Sequence, residues 1–247
     1  MNALLEVREV SKYYGGVIAN EKVSLTVGEG RIVGLIGPNG SGKTTLFNSI
    51  VGTHPIDGGS IRFDGREISH LRVPEIARLG LIRTFQQTRI FRQMSCLDNM
   101  IVSVPQGDAS LRTMIARPAA EDRAHADELL AFVGLASKRD LPAGSLSFGQ
   151  QKLLEFAMAL MNEPRLLLLD EPTAGINPTL INGLIERLKR ARDQLGITLL
   201  VIEHNMRVVM NLAEHIYCLA HGEVLADGPP ERVQNDPRVV AAYLGGH

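Results

Sequence analysis

The octapeptide Gly37-Pro38-Asn39-Gly40-Ser41-Gly42-Lys43-Thr44 has the spacing G-x-x-x-x-G-K-[ST], which wraps backbone N–H groups around phosphate oxygens at the start of a helix. Its glycines let the chain turn tightly and approach the anion closely. Lys43 supplies a point charge to β- and γ-phosphate oxygens, and Thr44 a hydroxyl for Mg²⁺. The pattern arises by chance in about one chain in a hundred of this length, so its surroundings must decide. An apolar run precedes it and a helix-periodic one follows, the order that the chemistry requires. A second cluster, Leu166-Leu167-Leu168-Leu169-Asp170-Glu171, is an apolar run ending in adjacent carboxylates. At the carboxyl end of a buried strand, Asp170 reaches a metal shell and Glu171 faces the γ-phosphate and its attacking water. A helix cap or solvent-facing turn is the plainer reading of the same pair. A third cluster, Leu146-Ser147-Phe148-Gly149-Gln150-Gln151, combines a hydroxyl, a glycine-exposed backbone and a helix N-terminus. That is an anion site or merely a helix start.

These groups need alternating strands and helices to hold them. Residues 4–10, 23–27 and 31–36 read as strands, and residues 43–51 as a helix with Leu46, Phe47 and Ile50 on one side. From residue 72 to 164 the patterns turn helical, as over 120–133, where Ala126, Leu129, Leu130 and Val133 share a face, and over 152–161. From residue 165 the alternation returns. A strand at 166–169, a helix at 180–194, a strand at 197–202 and a helix at 206–213 precede a strand at 216–219, which turns at His221-Gly222 into 224–226. The predicted class is α/β, one core interrupted by a helical insertion. Residues 105–118 read as a solvated loop containing Arg112 and Arg117.

The third cluster resembles the signature motif of ATP-binding cassette (ABC) proteins, and further matches follow in that family's order along nearly the whole chain. The resemblance implies a P-loop NTPase (RecA-like) core with an N-terminal antiparallel β subdomain, core over about 1–85 and 165–247, and a helical lobe over about 86–164. It implies ATP and Mg²⁺ as cofactors. Nucleotide contacts fall on the cradle Gly37 through Thr45 (Thr45 included) and, in a second cassette, on Ser147, Gly149 and Gln150. Phe148 stands where the common family form has glycine, which leaves Ser147 and Gly149 as the motif's principal contacts. Tyr14 resembles the aromatic that stacks on adenine, with Tyr13 the competing residue and core packing the plain alternative. Gln86 resembles the glutamine that joins core to lobe and senses the γ-phosphate and metal, with Gln87 beside it. His204 resembles the switch histidine, so Glu171, His204 and Gln86 are the expected catalytic residues and Thr44, Gln86 and Asp170 the expected metal contacts. Ala174-Gly175-Ile176-Asn177 resembles the segment that crosses between two cassettes, with Asn177 where Asp is frequent.

Arg83-Thr84-Phe85-Gln86, the Phe-Gly-Gln-Gln signature and the ending Asn235-Asp236-Pro237 through Ala242-Tyr243-Leu244-Gly245 resemble the ATP-binding subunits of branched-chain amino acid importers. Urea and short-amide importers and a lipopolysaccharide-export cassette share parts of that pattern. The implied partners are a second cassette, the same chain or a sister, transmembrane permease subunits and, indirectly, a substrate-binding protein. The helical region over 89–100, with Ile90 and Phe91, is the expected docking face. The implied place is the cytoplasmic face of the inner or plasma membrane, as a peripheral subunit.

Composition agrees and excludes alternatives. Lys+Arg 26 against Asp+Glu 27 leaves a net charge of −1, without the basic field that nucleic acid as main ligand requires. No apolar run nears the ~18 residues of a membrane-spanning helix, and the first residues acquire charge too early for a signal peptide. Cys96 and Cys218 lack paired spacing and read as buried thiols in a reducing compartment. Soluble DNA-repair and translation ATPases of the same family carry a long coiled coil or two cassettes. A P-loop kinase or GTPase leaves Ser147 through Gln151 without a task, and a non-enzymatic scaffold leaves Lys43, Asp170, Glu171 and His204 unexplained.

Overall fold

The computed structural model describes residues 3–84, 90–104 and 120–244. At the amino end, β1 (Ala3–Tyr14) and β2 (Val17–Gly28) form a long antiparallel hairpin. In β2, Val23, Leu25 and Val27 are buried while Ser24 and Thr26 face solvent, the period-two pattern of a one-sided strand. The hairpin β4 (Gly58–Phe63) and β5 (Arg66–Glu67) extends this sheet in the order β2-β1-β4-β5.

The larger sheet contains β3 (Ile32–Ile36), β6 (Leu81–Arg83), β7 (Leu166–Asp170), β8 (Thr198–Ile202), β9 (His215–Ala220) and β10 (Glu223–Gly228), in the order β10-β9-β3-β8-β7-β6. All neighbours are parallel except β10, which runs back against β9. Strands β3, β7 and β8 are buried at every position. They read as continuous apolar runs because both faces are covered. In β7, Leu166 and Leu168 belong to the core shared with the smaller sheet, whereas Leu167 and Leu169 face a helical core.

The helices are α1 (Lys43–Ile50), α2 (Val73–Arg78), α3 (Cys96–Val102), α4 (Ala120–Phe132), α5 (Phe148–Leu160), α6 (Pro178–Leu195), α7 (Met206–Leu212), α8 (Pro230–Gln234) and α9 (Pro237–Leu244). Residues of α3, α4, α5 and α6 share one apolar core with Leu167, Leu169, Leu199 and Val201 of the sheet. Helices α7, α8 and α9 cover the other edge, around Ile36, Ile216 and Cys218. The change to helical patterning read from residue 72 yields one short helix, α2, before β6 returns the chain to the larger sheet. Both cysteines are buried free thiols. Gln86, Gln87, Arg89 and residues 105–118 lie outside the described residues. Among the described residues no helix is long and apolar enough to cross a membrane.

Candidate functional site

Parallel register brings together residues far apart in sequence. Leu35 of β3 lies beside Ile202 of β8, and Ile202 beside Asp170 of β7. The segments starting at Gly37, Glu171 and Glu203 therefore leave the same edge of the sheet side by side, where ligands of open parallel sheets bind. A cleft there is lined by Asn39, Gly40, Ser41, Gly42, Lys43, Thr44, Thr45, Glu171 and His204, with Val17, Ile18 and Ala19 from β2.

Two glycines of the loop have no substitute. Gly42 holds φ +98°, and a Cβ there would meet the Ala19 carbonyl oxygen at 2.2 Å and Asn20 Nδ2 at 2.5 Å. A Cβ on Gly37 would meet the Leu219 carbonyl oxygen at 2.1 Å. The Lys43 ammonium donates to the carbonyls of Gly37 (2.8 Å) and Pro38 (2.9 Å) and to Ser41 Oγ (3.3 Å). Burial pushes its pKa below the usual lysine value, opposed chiefly by the Glu171 carboxylate. The loop thus encloses a cation in its own carbonyls, while the N–H groups of Gly37 and Ser41 are bonded within the protein, to Tyr243 Oη and the Pro38 carbonyl.

Glu171 sits at φ +49°, an uncommon left-handed setting for a residue with a side chain. Its N–H donates to the Ile202 carbonyl at 2.9 Å, continuing the β7–β8 pairing one step past the strand. Its Oε1 lies 2.5 Å from His204 Nε2. A carboxylate hydrogen-bonded to an imidazole at the mouth of a phosphate-binding loop is a competent proton acceptor for an incoming water. Next to His204, the buried Glu203 accepts hydrogen bonds from Thr173 N (2.9 Å) and Thr173 Oγ1 (2.6 Å), tying β8 to the segment after Glu171.

Asp170 is buried, and its Oδ2 accepts from Arg83 Nη2 at 2.6 Å; the same guanidinium donates to Asn48 Oδ1 of α1 at 2.5 Å. The Thr44 hydroxyl is exposed in the cleft. A carboxylate and a hydroxyl are hard oxygen donors suited to Mg²⁺. Among the described residues no group of three or more His, Cys, Asp or Glu could hold a metal ion.

Tyr13 and Tyr14 are both exposed, so neither packs in the core. Tyr14 Oη pairs with His54 Nδ1 at 2.6 Å and Tyr13 Oη donates to Glu21 Oε2 at 3.0 Å. The cleft itself is lined by the exposed aliphatics Val17 and Ile18. Sequence reasoning passed over these two, although apolar side chains just after a Gly-Gly turn were the available signal.

Ser147, Gly149 and Gln150 line a separate groove with Ile176, Thr179, Leu180 and Arg187. Ser147 Oγ accepts from Gln150 N at 3.3 Å, and Gln150 Oε1 accepts from Ser147 N at 3.1 Å. This reciprocal capping box opens α5. Asn177 caps α6 through Oδ1, which accepts from Thr179 N (3.0 Å) and Oγ1 (2.9 Å).

A glycine-rich P-loop, an acid–imidazole pair and an aspartate at the end of a buried strand mark a P-loop nucleoside triphosphatase. Residues 20–174 match the ABC transporter family, and residues 223–247 match a family described as branched-chain amino acid ATP-binding cassette transporter. The chain is 40% identical to the high-affinity branched-chain amino acid transport ATP-binding protein BraF of Pseudomonas aeruginosa, over 98% of each chain. It is 37% identical to the LivG protein of the same description in Escherichia coli, again over 98% of each. A crystal structure of the ADP conformation of an ATP-binding cassette of an ABC transporter superimposes with a TM-score of 0.90 at 33% identity, covering 99% of this chain and 100% of that one. A dimeric bacterial ABC transporter cassette gives a TM-score of 0.75 at 27% identity, covering 92% and 98%. The chain belongs to the ABC transporter family, as an ATP-hydrolysing cassette.

Proposed function

We propose that this chain energises import of branched-chain amino acids, as one of two cassettes beneath membrane permease subunits supplied by a separate substrate-binding protein. The carrying observation is similarity along the whole chain, including the ending 223–247, to proteins of that description. That ending favours amino acid uptake over urea or amide import and lipopolysaccharide export.

In this reading the core spans about 1–85 and 165–247 and the helical lobe about 86–164. The loop from Gly37 to Thr45, through those of its N–H groups not bonded within the protein, and the Lys43 ammonium hold the phosphates, and Tyr14 stacks on adenine. Thr44, Asp170 and Gln86 would hold Mg²⁺, which would supply positive charge against the phosphate oxygens. Glu171 accepts the proton of the attacking water, and His204 holds that carboxylate in place and steadies the developing charge. Ser147, Gly149 and Gln150 meet the nucleotide held by the opposite cassette, so one chain cannot complete its own site. ATP closes the pair because it makes additional contacts there, and loss of the γ-phosphate lets the cassettes part. Ile90 and Phe91, the latter exposed, belong to the face that docks on the permease.

The test is affinity isolation of the tagged chain from membranes, with identification of the chains that accompany it, followed by leucine uptake in cells lacking it. Co-purification of permeases and an amino acid receptor with lost uptake is expected. Ribosomes, DNA or lipopolysaccharide-export components in their place would overturn the proposal.

A further inference from the structure

We infer that Tyr243, on the carboxyl-terminal helix α9, is a positioning residue for the phosphate loop. Asp236 sets up that helix. Its carboxylate accepts from Arg238 N (2.8 Å), Nε (3.1 Å) and Nη2 (2.8 Å), and its carbonyl accepts from Val240 N (3.0 Å). The guanidinium and backbone amide of Arg238 hold the Asp236 carboxyl down to about 2. Val239, one turn before Tyr243, is buried among Ile36, Ile216, Cys218 and Ala226, and the tyrosine ring packs on the same cluster. This seating carries the phenol to the end of β3. There the N–H of Gly37, 206 positions earlier in sequence, donates to Tyr243 Oη at 2.8 Å.

Gly37 is wedged from both sides. Its carbonyl accepts from the Lys43 ammonium at 2.8 Å, and its Cα faces the Leu219 carbonyl so closely that no Cβ fits. The phenol and the ammonium therefore fix the two peptide groups flanking the first glycine of the loop. Burial pushes the Tyr243 phenol up to about 12, so it stays neutral across the working pH range. Without the hydroxyl, the buried Gly37 N–H loses its partner, the peptide before Gly37 loses a restraint, and the one after it is held at one end only. The carbonyl that anchors Lys43 then loses its fixed direction. Coupling of this kind is reciprocal, so nucleotide in the loop tightens the seating of α9.

The inference rests on the loop's binding nucleotide, and the experiment separates the two. ADP affinity is measured by calorimetric titration for wild type, Tyr243→Phe, which keeps the ring, and Val233→Ala, which loosens the same apolar cluster from α8 without touching the hydroxyl. Tyr243→Phe should weaken ADP binding about tenfold, while Val233→Ala lowers the melting temperature and leaves affinity within twofold. Hydrogen exchange over 237–244 should slow on adding ADP to wild type and respond less in Tyr243→Phe. Equal affinities for Tyr243→Phe and wild type, equal weakening by both variants, or exchange indifferent to ADP would each overturn the positioning role. Failure of the wild type to bind ADP would instead count against the nucleotide site.

Discussion

Helices α1 and α5 both start at the edge of a cleft, and their first turns are completed in opposite ways. The residue before α1 is Gly42, which offers no side-chain cap, and the adjoining loop spends its carbonyls on Lys43. Helix α5 starts at Ser147, whose hydroxyl is engaged by Gln150 N while the Gln150 side chain folds back onto Ser147 N. Neither helix carries an acidic residue in its first turn, so both keep the positive end of the dipole unopposed. The first end therefore carries no side-chain cap that an incoming anion would have to displace. The second uses its hydroxyl oxygen as an acceptor in its own cap, which leaves the O–H as a donor for the nucleotide that the proposed function places on another molecule. In the function proposed above, the half of the site around Lys43 is built in and the half around Ser147 acts on pairing.

Lys43→Ala attacks the built-in half and should have the largest effect. It removes the charge that organises the loop carbonyls, and ATP affinity in titration should fall about a hundredfold or more. Near-normal affinity would erase the distinction between the two helix starts. Glu171→Gln leaves that half intact and withdraws the proton acceptor. Turnover should drop about 10²- to 10⁴-fold with affinity retained, and light scattering should show a longer-lived ATP-bound pair. Ser147→Ala probes the other half. Loss of the cap should destabilise the chain by about 1 kcal/mol in denaturant unfolding. ATP binding to the isolated chain should be unchanged and hydrolysis at saturating protein should slow about tenfold. Weakened binding by the isolated chain would place Ser147 in the same site as Lys43 and break the comparison.

The contrast also explains what the sequence made legible. The strand–loop–helix around Lys43 was readable because each constraint is local: a buried strand, a turn that only glycine fits, and an apolar-periodic helix. The carboxylates after residue 169 were readable because charge follows an apolar run abruptly. The capping box was readable too, as Ser147 with Gln150 three positions on, so the helix-start reading and the signature reading describe the same residues. Strands β4 and β6 were missed. β4 opens with two glycines, and β6 has three residues and draws its definition from β7. The bonds from Arg83 to Asp170, Glu203 to Thr173 and Tyr243 to Gly37 join segments that only the folded sheet makes neighbours.

The exposed ring of Phe148 rests against Gly175, where an added Cβ would come within 2.9 Å of Phe148 Cε1. Gly175 also holds φ +73°, so backbone conformation and the Phe148 ring both favour glycine there. The bulky residue in the signature therefore adds a steric constraint to a position in the segment after Glu171 whose backbone already favours glycine. Shrinking the aromatic would relieve only the steric half of what holds the second position to glycine, and the left-handed backbone there would still favour a residue without a side chain.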